Sequence, residues 1–93
     1  MSAEGQKLAK RFMHVGLQRP GVLLLRPDDA LRMVEEAEAA GVAVYGLDAF
    51  LLHPGDKIQP VMEFDVEGSY EPSKARLREH LDGPYWFEVA LDD

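Results

Sequence analysis

Between Val61 and Glu67 the chain alternates apolar and acidic residues, Val-Met-Glu-Phe-Asp-Val-Glu. A period of two predicts a β-strand, with Met62, Phe64 and Val66 entering a core and Glu63, Asp65 and Glu67 lining the opposite face, about 7 Å apart. Three like charges at that spacing repel by a few tenths to about 1 kcal/mol per neighbouring pair. Two readings fit: an acidic face that meets a basic partner, or a solvated face kept soluble by charge.

The same patterning predicts the other elements. Ala3 to Leu17 reads as an amphipathic helix with Leu8, Phe12 and Val15 on one side and Lys7, Lys10 and Arg11 on another. Phe12 to Val15 also fits the start of a short strand, and Gly16 with Arg19-Pro20-Gly21 ends either element. Val22 to Leu25 is a short apolar run typical of a strand covered on both faces. Pro27-Asp28-Asp29 opens a helix that runs to Ala40, buries Ala30, Met33, Val34 and Ala37, leaves Arg32, Glu35, Glu36 and Glu38 in water, and stops at Gly41. Val42 to Tyr45 is a strand ending at Gly46-Leu47-Asp48, and Ala49 to Leu52 is the next. His53-Pro54-Gly55-Asp56 turns it into Lys57-Ile58-Gln59-Pro60, with Pro60 at an edge, a bulge or a junction. Glu71 to Leu81 forms another helix, with Tyr70, Leu77 and Leu81 inward and Lys74, Arg76, Arg78 and Glu79 outward. Tyr85 to Leu91 closes the chain as a strand, Tyr85, Phe87, Val89 and Leu91 on one face and Trp86, Glu88 and Ala90 on the other.

This order predicts an α+β fold: a single small domain with a mostly antiparallel sheet of about four to five strands and two or three helices packed mainly on one face. Residues 1–19 form its basic N-terminal helix and residues 20–91 its core. At 93 residues one small core is expected.

Composition changes the picture in three ways. Cysteine is absent, which removes disulfides, thiolate metal sites and cysteine nucleophiles. No apolar run nears the roughly 20 residues that span a bilayer, and the first residues lack a signal-peptide pattern, so a cytoplasmic location is expected. The net charge of −7 is uneven: Lys7, Lys10, Arg11, Arg19 and Arg26 face only Glu4 in residues 1–26, which leaves −11 on the rest. Such a field disfavours nucleic acid and anionic membranes and steers basic proteins toward the surface.

Candidate chemistry is sparse. His53 and Asp56 with Glu63 or Asp65 match no metal-ligand spacing, and His14 and His80 read as exposed helix residues. Ser2, Ser69 and Ser73 sit in no nucleophile-elbow context, and no glycine-rich phosphate loop precedes a helix. The expectation is a non-enzymatic protein with no catalytic residue, cofactor or metal. Trp86 and Tyr45 fit either anchors on an outer sheet face or, for Trp86, packing under the N-terminal helix.

From the Ala30 helix through the strand ending in Gly46-Leu47-Asp48, the turn into Lys57-Ile58-Gln59-Pro60, the acidic strand, the Tyr70 to Leu81 segment with Ala75, and the aromatic closing strand, the chain resembles the bacterial polymorphic-toxin immunity proteins. The likeness is to the small family numbered forty among them and covers about residues 20–91. It implies a cytosolic α+β antidote that binds and blocks a cognate toxin delivered between competing bacteria. The aromatic residue that the family leads us to expect near Met62 to Asp65 is present only as Phe64. The candidate contact residues therefore come from the charge pattern: Glu63, Asp65 and Glu67 facing a basic toxin domain, Asp48 and Glu71 flanking them, and Tyr70 or Trp86 as anchors. The alternative is a small structural or regulatory domain, a monomer or a homodimer paired through a strand edge.

Overall fold

The computed structural model describes residues 3–92; Ser2 and Asp93 lie outside them. In chain order these residues form α1 (Ala3–Phe12), β1 (Leu17–Arg19), β2 (Val22–Leu24), α2 (Pro27–Ala40), β3 (Val44–His53), β4 (Lys57–Pro60), a 3-10 turn at Met62–Phe64, β5 (Val66–Glu67), α3 (Tyr70–Glu79) and β6 (Trp86–Leu91). The fold is α+β and antiparallel, as the sequence predicts, but its strands form two sheets, of two and four strands, where the sequence reading has one. No helix of the described residues is long and apolar enough to cross a membrane.

β3 is the centre of the larger sheet. Phe50 pairs with both Pro60 and Trp86, and Leu47 with both Val66 and Val89, so β6 occupies one edge of β3 while β4 and β5 share the other in tandem. The β1–β2 hairpin is the second sheet. It is tied to β6 by two reciprocal backbone bonds of 2.8 Å between Leu25 and Phe87.

Sequence reading splits β3 at Gly46-Leu47-Asp48, and the structure does not. Gly46 (φ 153°) sits at a bulge where Tyr45 is the extra residue, and a Cβ placed on Gly46 would lie 2.1 Å from the Val66 carbonyl oxygen. The glycine admits a neighbouring backbone into close contact; it does not end the strand.

α2 forms as its sequence dictates. Pro27 opens it, Asp28 and Asp29 stand in the first turn, and Gly41 (φ 72°) takes the left-handed cap, its N–H bonding the Ala37 and Glu38 carbonyls. Its stripe of Ala30, Met33, Val34 and Ala37 is fully packed against Leu47, Ala49, Leu77 and Phe87, with Leu8 and Phe12 of α1 at one end. α1 stops at Phe12, short of Leu17, and the chain turns there, so Val15 leaves the buried face and is exposed.

α3 departs more from expectation. Tyr70 and Leu77 face inward, but the helix ends at Glu79 and Leu81 beyond it is exposed. Lys74, expected in water, is buried between α2 and α3, its Nζ 2.6 Å from Glu38 and 2.9 Å from Glu71. Its methylenes cover apolar surface while the ammonium reaches two carboxylates. Those hydrogen bonds, Glu38 first, hold the Lys74 pKa above its ordinary value.

Candidate functional site

The acidic stretch Val61–Glu67 is not a continuous strand. The Val61 N–H bonds the Ala49 carbonyl, residues 62–64 loop out as the 3-10 turn, and the Asp65 carboxylate then accepts the Ala49 N–H at 2.9 Å before β5 resumes. A side chain thus replaces a backbone acceptor in the ladder, which a short carboxylate next to its own backbone does readily. Phe64 holds the turn in place, stacked 4.5 Å from His80 and 4.9 Å edge-on from Tyr85. Met62 consequently points to solvent instead of the core.

This arrangement gives Asp65 a testable structural role. Asp65→Ala should lower stability by about 1–3 kcal/mol in chemical denaturation, because it strands the Ala49 N–H. Asp65→Asn keeps an acceptor oxygen and should stay close to the parent.

Residues opposed across an antiparallel pair share a face, so the register shows what β3 presents on each side. Leu47, Ala49, Val89 and Phe87 turn toward α2 and α3. The opposite face carries, row by row, Glu67 with Gly46 and Ala90, then Asp48 with Glu88, then Pro60 with Phe50 and Trp86, then Ile58 with Leu52. Asp48, Phe50, Leu52, Ile58, Trp86 and Glu88 are all half-buried there. An acidic end therefore adjoins an apolar end on one open sheet face.

Among the described residues neither Asp48 nor Glu88 has an ion-pair partner. Burial pushes the Asp48 carboxyl above its ordinary pKa, helped by the charge of Asp65. Burial does the same to Glu88, helped by Asp48. The neighbouring cations are engaged elsewhere: Arg19, which lines a cleft together with Glu88, pairs with Asp56 at 3.3 Å, and the Arg26 guanidinium stacks 5.2 Å over Trp86 and donates to the carbonyls of Gly83 (2.6 Å) and Tyr85 (3.0 Å). Trp86 thus lies on the face turned away from the helices, held by Arg26.

Of the seven residues proposed from sequence, the register puts Asp48, Glu67 and Trp86 on this face, with Asp65 close enough to act on Asp48. The other three are placed differently. Glu63 is exposed on the looped-out turn. The Tyr70 hydroxyl donates to the Val42 carbonyl at 2.8 Å, which ties α3 to the entry of β3. Glu71 is exposed and paired with Lys74, whose hydrogen bond lowers its pKa. Sequence reasoning missed Glu88, Phe50, Leu52 and Ile58. The signal was present in the matched alternation of residues 48–52 and 86–90, hidden once β3 is cut in two.

The histidines take no part. His53 bonds Gln59 at 2.6 Å, and Asp56 pairs with Arg19 at 3.3 Å. His14 is exposed past the end of α1, whereas His80 is half-buried against Phe64, Tyr85 and Phe87 instead of standing in solvent. No group of three histidine, aspartate or glutamate side chains among the described residues is placed to hold a metal ion.

No protein-family model, curated protein or solved structure matches the chain. The open face of β3 and β6 is accordingly read on its own chemistry.

Proposed function

We propose that this chain is a non-enzymatic binding protein whose open sheet face covers a basic surface of another protein, in the manner of an immunity protein that neutralises a cognate toxin. One observation carries the reading: Asp48 and Glu88 stand side by side, half-buried, raised in pKa and without a cation of their own, next to the apolar row of Phe50 and Trp86. A chain gains no stability from such a pair. A lysine or arginine from a partner would relieve both carboxylates at once, while Phe50, Trp86, Leu52 and Ile58 supply an apolar centre of the kind that anchors interfaces. The net charge of −7 adds steering toward a basic protein. Pairing of two copies through this face is less favourable, because it sets one row of carboxylates near another.

The test is growth rescue. Where the neighbouring gene encodes a secreted protein with a basic C-terminal domain, that domain should arrest cells when expressed alone. Co-expression of this chain should restore growth through a one-to-one complex, and Trp86→Ala should weaken that complex by tenfold or more. A folded protein that neither rescues nor binds would overturn the reading.

A further inference from the structure

Through its bonds to Phe87 at Leu25, the β1–β2 hairpin continues the larger sheet on the side of β6 away from β3. The strands therefore run β1, β2, β6, β3, and then β4 with β5. Arg19 opposes Val22 at the end of the hairpin away from Leu25, whereas Asp56 lies past the other end of β6, beyond the pair of Phe50 and Trp86. In a flat sheet these would be opposite corners. Yet Arg19 Nη2 is 3.3 Å from the Asp56 carboxylate. Only a strongly coiled sheet, whose stagger accumulates from strand to strand, brings such corners together.

The side chains show which face lies inside the coil. Leu23 and Leu25 pack with the helix-side core, so Val22, Leu24 and, across the hairpin, Arg19 turn to the docking face. Leu24 is fully buried there, outside the cluster that packs on the helices. The docking face is therefore concave and the hairpin is one wall of it, which accounts for the half-burial of Asp48, Phe50, Leu52, Ile58, Trp86 and Glu88.

That wall is lightly held. Among the described residues its backbone bonds to β6 are the two between Leu25 and Phe87, and a cleft of about 290 Å³, lined by Gln18, Arg19 and Leu23, lies where it faces Val89 and Leu91. The hairpin has room to pivot about Leu25. Its far corner is fastened by the pair of Arg19 with Asp56, whose aspartate is 85% exposed. An exposed pair of this kind is weak and is screened by salt.

We infer that the β1–β2 hairpin is a flap over the docking face, hinged at Leu25 and clasped by Arg19 and Asp56, and that a basic partner enters when the clasp lets go. Arg19 is a cation on that face and lines the same cleft as Glu88. Lifting it takes a like charge out of the path of the partner's lysine or arginine. This inference rests on the proposed function and names what regulates its face.

The chain has no cysteine, so a thiol placed at Leu24 reports opening. In the whole 93-residue protein, Leu24→Cys should react with a maleimide at a rate that dilute urea hardly changes, because the flap exposes little surface as it opens. Val34→Cys, buried in the helix-side core, reacts only on unfolding, and its rate should climb steeply. Asp56→Asn, Arg19→Gln and the two together should each raise the Leu24→Cys rate by the same factor, about two- to fivefold, since each breaks the same pair. Asparagine suits the left-handed backbone of Asp56 (φ 61°), so the turn survives. High salt should speed the parent and leave these variants unchanged. Equal urea dependence of the two thiols, or effects that add in the double variant, overturns the flap. With the basic domain used for growth rescue, Asp56→Asn should associate about two- to fivefold faster although it has lost an acidic charge. Slower association, which steering alone predicts, overturns the gating. The readings fail separately: a Leu24 thiol released by the clasp, in a chain that binds no basic domain, keeps the flap and removes the proposed partner.

Discussion

The double variant Asp48→Asn, Glu88→Gln will associate more slowly with a basic partner and yet melt at a higher temperature than the parent. Both effects come from one pair. Removing two charges from the docking face weakens steering, and the association rate should fall about 10- to 100-fold at low salt, with the difference shrinking as salt is raised. The stability effect follows from the pKa directions. Both carboxyls are raised in the folded state, chiefly by burial, so the folded chain holds protons that the unfolded chain releases. Stability therefore falls as pH rises from the ordinary carboxylate range through the raised values, and the penalty is complete at pH 7. Neutral amides remove it. With partial exposure screening the pair, the gain at pH 7 is a few tenths to about 1 kcal/mol, and it vanishes near pH 3, where both forms are uncharged. Stopped-flow association at two ionic strengths and thermal melts at the two pH values read these outcomes. An unchanged association rate would remove the pair from the interface; a gain that persists at pH 3 would mean that burial of charge is not its source.

Gly46→Ala should cost the most of any single methyl added to this chain. The new Cβ would sit 2.1 Å from the Val66 carbonyl oxygen and 3.2 Å from its carbon, both backbone atoms that cannot swing aside. A positive φ of 153° adds strain of about 1–3 kcal/mol for any side chain. Relief requires β5 to leave β3, which frees the Gly46 and Leu47 pairings and the start of α3. Against a total stability of about 5–15 kcal/mol, a loss of roughly 4 kcal/mol or more is expected, seen as a lowered denaturation midpoint and fast hydrogen exchange near Val66. Gly55→Ala is the control. Gly55 also has positive φ, but nothing lies near its Cβ, so it should lose far less.

How far the sequence reaches depends on where each element finds its partners. α2 was legible to its ends, because proline, two aspartates and a terminal glycine act within the helix itself. The faces of β6 were legible for the same reason: alternation is local. Period two does not tell whether a strand continues, and both errors in the sheet follow. Gly46 looked like a stop because its reason, the Val66 carbonyl, comes from residues twenty positions away. Asp65 looked like a surface charge because its bond to the Ala49 N–H exists only once the edge is assembled. Lys74 was placed in water since lysine usually is, and only the pairing of α2 with α3 supplies Glu38. The candidate face was half visible through Asp48, Glu67 and Trp86. Its Glu88 and apolar row waited on the register that brings residues 48–52 beside 86–90.

The looped-out turn has a consequence for how the chain behaves when concentrated. It divides one edge of the larger sheet into pieces of four and two residues, the first ending in Pro60, which has no N–H to offer. Fibril growth needs a long, flat run of unpaired backbone to act as a template, and two stubs separated by a turn that exposes Met62 and Glu63 do not provide it. Straightening that turn by deletion would join the stubs into one longer edge, and the deletion variant should form ordered aggregates faster than the parent at high concentration.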